Sequence, residues 1–177
     1  MDEKKLKEAI STLRKDNKKK FTQSVDLIIN LKNLDLKKPE HQVEFYLQLP
    51  KNKGKKSVVC ALVAGELADQ AKEAMDSSVM QKDFEIYQKD KKKTKKLASS
   101  MDFFVAQATI MPKVAAAFGR VLGPKGKMPN PKAGCIVPPN ANLSQVYEKL
   151  QKTVKLSAKK APLMQTICGN EDSSDED

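Results

Sequence analysis

The feature that most restricts how this chain can fold is a continuous apolar run, SVVCALVAG, at residues 57–65. A strand that is apolar at every position is buried on both faces, as strands inside parallel sheets are. Alternating patterns follow: a helix from Glu66 to about Met75, a short strand around Val79 and a second buried strand, MDFFVAQA. Parallel strands joined by helices form a doubly wound sheet. Residues 57–151 are therefore predicted to form an inserted α/β, Rossmann-like domain.

Three further helical segments are predicted around these strands. DFEIYQKDKKKTKKLASS, at residues 83–100, predicts one or two helices with a lysine-dense face. IMPKVAAAFGRVL predicts a helix with Pro112 in its first turn, where an amide donor is not needed. Asn142 is placed to cap a helix that runs through Leu150.

The segments on either side of the insert have the alternating pattern of half-buried strands. An amphipathic helix is predicted from Asp2 to Lys15, and FTQSVDLIINL and HQVEFYLQLP follow it as strands. Their predicted buried parity includes Leu27, Phe45 and Leu47. TVKLSA and LMQTIC return to strands near the end of the chain. Such strands favour an antiparallel sheet with helices. The prediction is an α+β split domain, residues 1–56 and 152–177, joined to residues 57–151 by two crossings that form a double hinge.

The loop at residues 118–134, FGRVLGPKGKMPNPKAG, is rich in glycine, proline and basic residues and contains no acid. Proline stiffens its backbone, while Gly126, Asn130 and Gly134 are positions that tolerate a positive φ. A Walker loop is excluded, because Val121 stands where its first glycine is required. A stiff cationic loop suits phosphate binding. The alternative is a connector whose lysines are merely solvated.

Charge and residue usage favour a polyanion that is held by its backbone. The 177 residues carry a net charge of +11, and only Arg14 and Arg120 of the 33 basic residues are arginine. Base readout relies on forked arginine, whereas lysine serves the phosphate backbone. Three separated cysteines and one histidine form no metal or nucleophile–base pattern, so no catalytic site, metal or cofactor is predicted. The N-terminus does not resemble a signal peptide, and no apolar run reaches membrane length.

Four segments together resemble one known family. VLGPKGKMPNPKAG, KKFTQSVDLIINL, DFFVAQATIMP and TVKLSAKKAPLMQTICGNED are similar, in order and spacing, to the family of the first-numbered protein of the large ribosomal subunit. The protein of that family is the universal stalk protein beside the tRNA exit site. The present sequence resembles the archaeal branch of the family most. The resemblance implies a non-catalytic, cytoplasmic structural protein that binds large-subunit rRNA directly. The alternative is a general basic RNA-binding module without a ribosomal role.

The resemblance also implies which residues contact rRNA. On the split domain these are Lys20, Phe21, Ser24, Gln165 and Gly169. Lys20 is expected to meet a phosphate, and Ser24 to donate to a phosphate or a 2′-hydroxyl. Phe21 is expected to offer a flat face to ribose or base. The alternative for Phe21 is a core aromatic, because it lies on the apolar parity of its strand.

A second set of implied contacts lies on the loop. The stalk role of the family implies contact with deacylated tRNA that leaves the exit site, and the candidate residues are Arg120, Lys125, Lys127, Asn130 and Lys132. The protein's own mRNA is a further implied partner, because many family members repress their own translation. Other ribosomal components are implied partners too, and a membrane is not.

The acidic end of the chain, NEDSSDED, resembles the capped first turn of a helix. Members of the family continue for roughly forty further residues, through a helix and a final strand with Thr-Met-Gly. The resemblance implies that the acidic end of this chain is the first turn of that helix, where carboxylates are favourable. The alternative for an acidic run is disorder.

Overall fold

The computed structural model describes residues 2–17, 19–159, 161–170 and 173. The strands are β1 (Ser24–Asn30), β2 (Val43–Gln48), β3 (Val59–Val63), β4 (Ser77–Met80), β5 (Phe103–Gln107), β6 (Ile136–Val137), β7 (Thr153–Ala158) and β8 (Leu163–Asn170). The helices are α1 (Glu3–Asp16), α2 (Ala68–Ala74), α3 (Phe84–Lys89), α4 (Lys91–Ser100), α5 (Met111–Leu122) and α6 (Leu143–Lys152). The chain divides into two compact units. Residues 57–151 are called the inserted unit below, and residues 1–56 with 152–177 the split unit.

The inserted unit is built on a four-stranded parallel sheet in the order β4-β3-β5-β6. Every residue of β3 is buried, because helices cover both faces of the sheet. Val59, Ala61 and Val63 pack with residues of α2 and α6 on one face. Cys60 and Leu62 pack with residues of α3, α4 and α5 on the other. The predicted doubly wound α/β fold is therefore confirmed.

Local capping explains where the helices of the inserted unit begin. The pattern over residues 83–100 gives two helices, because the Asp90 carboxylate accepts hydrogen bonds from the amides of Lys92 and Lys93 and starts α4. Asn142 caps α6 in the same way, with Oδ1 3.1 Å from the Ser144 amide, as predicted. The two-residue edge strand β6, which pairs with β5, was not predicted from the sequence.

The split unit contains two antiparallel strand pairs, β1 with β8 and β2 with β7, which confirms the predicted antiparallel arrangement. Its small core consists of Leu156, Ala158 and Met164, with Ile29, Leu31 and Val43 packed against it. The predicted amphipathic helix is α1, and Asp2 accepts from the Lys4 amide at its start. Each pair joins strands that are far apart in the sequence.

The predicted burial of two strands in the split unit is wrong in part. Phe45 and Leu47 on β2 are exposed, because the small core of this unit contacts β2 only at Val43. Leu27 on β1 is also exposed. The register of β1 with β8 shifts between Val25 and Asp26, where Cys168 is the extra residue on β8. Alternation on β1 continues through this bulge, and Leu27 is exposed because the small core of the unit contacts β1 only at Ile29.

The acidic end of the chain lies outside the described residues. This applies to the five acids at the predicted helix start, Glu171, Asp172, Asp175, Glu176 and Asp177. Of residues 171–177 only Ser173 is described, and its carbonyl accepts a hydrogen bond from the guanidinium of Arg14.

Candidate nucleic-acid interface

The turn between α1 and β1 presents an aromatic ring to solvent. Phe21 is 68% exposed and precedes the first residue of β1, so it is not a core aromatic. Its predicted partners in RNA binding, Lys20 and Ser24, are exposed as well. Leaving a phenylalanine exposed forgoes about 1.5–3 kcal/mol of burial free energy. The side chain is therefore available for contact with another molecule rather than for the core of this unit.

Hydrogen bonds hold the turn that carries Phe21. Asn17 ends α1, where its Nδ2 donates to the Leu13 carbonyl at 3.0 Å. The Nε2 of Gln23 donates to the Asn17 carbonyl at 2.6 Å, which ties a residue just before β1 to the end of α1. A groove of about 220 Å³ lies beside it, between α1 and the start of β1, and Ser24 is part of its lining. Ser24, one of the predicted RNA contacts, therefore borders a concave surface.

The two predicted contacts on β8 have different surroundings. Gln165 is exposed opposite Ile28, and its Nε2 donates to the Asp26 carboxylate at 3.2 Å. Gly169 is buried and pairs with Val25 at the bulge. Gln165 can therefore reach a ligand with its side chain, whereas Gly169 contributes only backbone.

Sequence reasoning missed two residues of this surface. Asp26 orients the amide of Gln165, and Ile28 is 54% exposed beside it. Ile28 was detectable, because it is an apolar residue on the otherwise polar parity of its strand. An exposed apolar residue among polar neighbours indicates a contact surface.

Two lysines of the split unit are already engaged by a carboxylate. Lys155 lies 2.7 Å from the Glu44 carboxylate, and Lys159 contacts the other oxygen of the same group. Hydrogen bonds from Lys155 and then Lys159 lower the pKa of Glu44. These ammonium groups are therefore partly neutralised, unlike Lys20, which has no ion pair among the described residues.

The glycine- and proline-rich loop of the inserted unit has a defined backbone. Gly126 and Gly134 adopt φ of 64° and 71°, as predicted. Asn130 does not, because its φ is −123° and its side chain accepts from the Lys132 amide at 2.9 Å. Pro129 is buried. Asn130 therefore caps the short turn after it.

The lysines of this loop differ in what they contact. Lys127 donates to the carbonyls of Ala98 at 3.1 Å and Met101 at 2.5 Å, at the C-terminal end of α4. Burial lowers the pKa of its ammonium. Lys125 donates to the Ser99 hydroxyl at 2.6 Å, while the Lys132 side chain is exposed. Lys127 thus anchors the loop to α4, where a cation satisfies carbonyls that the helix leaves free.

Replacing Lys127 by methionine is expected to lower the free energy of unfolding by about 1–2 kcal/mol, because charge-assisted bonds to two carbonyls are lost while the apolar stem is kept. Denaturant titration measures the change. The matched control is Lys132→Met in the same loop, where the side chain is exposed and the change is expected to stay within about 0.5 kcal/mol. Equal stability of the two variants would show that the contact of Lys127 with α4 contributes nothing.

The described residues offer little for catalysis or metal binding. No group of three or more His, Cys, Asp or Glu in the described ranges is placed to hold a metal ion. Burial raises the pKa of Cys60 to about 12 and that of Cys135 to about 11, so neither thiol is a ready nucleophile. In the same part of the chain, no helix has the length and apolar character needed to cross a bilayer.

Comparison with known proteins places this basic protein, with its parallel insert inside an antiparallel unit, among the ribosomal proteins. The Ribosomal protein L1p/L10e family matches residues 13–177, and the chain belongs to that family. This confirms the resemblance found in the sequence and the prediction that the chain is not an enzyme.

Three similar proteins are archaeal and carry the name large ribosomal subunit protein uL1. The chain is 45% identical over 172 residues to that of Methanothermococcus thermolithotrophicus, which covers 97% of this chain and 77% of the relative. The protein of Methanobrevibacter smithii is 44% identical over 172 residues, with coverage of 96% and 79%. That of Methanococcus voltae is 42% identical over 178 residues, with coverage of 100% and 81%.

Proposed function

We propose that this protein is a structural component of the large ribosomal subunit and binds large-subunit rRNA directly through the split unit. The observation that carries the proposal is the exposed ring of Phe21, flanked by Lys20 and Ser24 on a chain of this family. An aromatic ring held on a hydrogen-bonded turn loses little conformational entropy when it binds.

Each residue of this surface has its own role. Phe21 stacks on a ribose or base, Lys20 neutralises a phosphate, and Ser24 donates to a phosphate or a 2′-hydroxyl. The amide of Gln165, which Asp26 orients, hydrogen-bonds to the RNA. Gly169, which pairs with Val25 at the bulge, contributes backbone groups only. Large-subunit rRNA in the cytoplasmic ribosome is thus the main partner.

The finer roles follow from the stalk position of the family. The protein moves with its rRNA and meets deacylated tRNA at the exit site, where three exposed cations, Arg120, Lys125 and Lys132, face the tRNA backbone. It also represses translation of its own mRNA through an RNA structure that imitates the rRNA site. Other ribosomal components contact the rest of its surface. Lys127 and Asn130 support the shape of the loop that presents these lysines.

A binding comparison tests the main proposal. The whole chain is titrated with an rRNA fragment that contains the stalk base and with an unrelated RNA duplex of equal length, at matched salt. Tighter binding of the rRNA fragment, typically by about a thousandfold or more for a specific site, supports the ribosomal role. Equal affinity would favour a general basic RNA-binding module.

Replacing Lys20 by alanine is expected to remove about one phosphate contact. The logarithm of rRNA affinity falls linearly with the logarithm of salt concentration, and its slope is expected to become shallower by about 0.7–0.9. Fluorescence titrations over a series of KCl concentrations measure it. Lys37→Ala, another exposed lysine of the split unit, is the control and is expected to keep the wild-type slope. A Lys20 variant with the wild-type slope would show that this ammonium meets no phosphate.

A further inference from the structure

A groove on the inserted unit lies between the junction of α3 and α4 and the outer side of α5. It has a volume of about 120 Å³, and its lining includes Gln88, Lys91 and Arg120 at the rim and Ala116 and Ala117 at α5. Both α3 and α4 pack against α5, so the groove is formed by helices with a shared core rather than by a loop. The small side chains of α5 leave room for a ligand backbone to approach.

The helices around this groove carry most of the positive charge of the inserted unit. Residues 84–100 and 111–122, which include α3, α4 and α5, contain eight basic residues and two acids, a net charge of +6. On the opposite face of the sheet, α2 and α6 contain three basic and three acidic residues. The charge is therefore concentrated on one face of the unit.

Four of the five lysines of α4 do not stabilise the helix, whereas the fifth, Lys93, lies 5.0 Å from the centroid of the Tyr87 ring. Lys91 with Lys95, and Lys92 with Lys96, are like-charge pairs at a spacing of four, which destabilise a helix by about 0.2–0.5 kcal/mol each. No carboxylate of the described residues forms an ion pair with any of the four. The carboxylate of Asp90, the nearest acid in the sequence, accepts hydrogen bonds from the backbone amides of Lys92 and Lys93 instead. A bound polyanion would relieve this repulsion.

Arg120 is one of the residues that line this groove. It lies in the last turn of α5, and its guanidinium makes no hydrogen bond or ion pair with any described residue. A guanidinium presents a planar fork of donors that matches a phosphate. Lys91 on α4 supplies a second cation on the same rim.

We propose that this groove binds the phosphate backbone of a base-paired RNA segment, with Arg120 and Lys91 as its principal contacts. Recognition of single-stranded RNA relies on exposed aromatic rings that stack on bases. Within the described part of the inserted unit no aromatic side chain is exposed, and Tyr87 in the groove packs its ring 5.4 Å from that of Phe118. This site is additional to the rRNA contact of the split unit and does not depend on it.

The test uses the whole chain and an arbitrary RNA duplex of about 16 base pairs, the span that duplex-binding domains cover. Such a duplex lacks the stalk base to which the split unit is proposed to bind. Loss of duplex binding therefore tests the groove, and loss of binding to the rRNA fragment tests the rRNA proposal. For the variant K91Q/R120Q, the slope of log affinity against log salt is expected to be shallower by about 1.5, because two phosphate contacts are lost. K91Q/R120Q is expected to weaken binding of a single-stranded RNA of equal length less than it weakens binding of the duplex.

The matched control is K72Q/K149Q, which removes the same charge from helices on the opposite face of the sheet. It is expected to keep the wild-type slope, and thermal melting verifies that both variants fold. Amide resonances of Gln88, Lys91 and Arg120 are expected to shift when duplex is added to the wild-type protein. Equal slopes for the two double variants, shifts confined to the split unit, or an equal loss of single-strand and duplex affinity in K91Q/R120Q would each overturn the proposal.

Discussion

Replacing Phe21 by alanine should weaken binding to the rRNA fragment by about thirtyfold, or about 2 kcal/mol, as truncation of an aromatic anchor does at an interface. The free energy of unfolding should change by less than about 0.5 kcal/mol, because the ring is 68% exposed and leaves no cavity. The salt slope should stay the same, since no phosphate contact is lost. Fluorescence titration and denaturant unfolding of the same variant measure all three quantities.

Two further variants separate the effect of the ring from that of the fold. Phe21→Tyr keeps a flat aromatic face and is expected to bind within about threefold of the wild type. Ile86→Ala removes an exposed apolar side chain from the inserted unit and is expected to leave rRNA binding unchanged. A Phe21→Ala protein that binds normally but melts early would return Phe21 to a structural role and remove the main support for the proposed rRNA surface.

Replacing Phe118 by alanine should destabilise the inserted unit by about 3–5 kcal/mol, because a fully buried ring is lost and a cavity remains. Phe118 is 0% exposed and meets Phe84 edge-on, with ring centroids 5.3 Å apart. Its ring also lies against Tyr87, so the packing of α3 on α5 depends on it. Since domains are stable by only about 5–15 kcal/mol, this variant should leave the inserted unit marginally folded.

Hydrogen exchange shows which unit loses stability in the Phe118→Ala variant. Amides of β3 and β5 in the inserted unit are expected to exchange much faster in Phe118→Ala, while those of β1 and β8 in the split unit keep their protection. Ile86→Ala on α3, whose side chain is 50% exposed, serves as the control with a change below about 0.5 kcal/mol. Equal acceleration in both units would contradict separate stability and indicate that the chain unfolds as one cooperative body.

Local patterns in the sequence were sufficient for the elements of the inserted unit. The run at Val59–Val63 has no polar residue, so only a strand covered on both faces can contain it. Pro112 at the start of α5 and Asn142 before α6 act on backbone groups within a few residues, so their effect needs no tertiary information. The order of the loop residues, together with the flanking strands, was specific enough to identify the family.

The tertiary structure alone decided which surfaces and side chains are available. The pairing of β1 with β8 and of β2 with β7 joins distant segments, and the small core that results does not include Leu27, Phe45 or Leu47. The sequence did not distinguish Lys127 from the other lysines of the loop. In the fold its ammonium donates to carbonyls at the C-terminal end of α4. Periodicity records whether a side chain prefers to be buried. Whether it is buried, exposed or bonded depends on which distant segment packs against it, and that is settled only when the whole chain has folded.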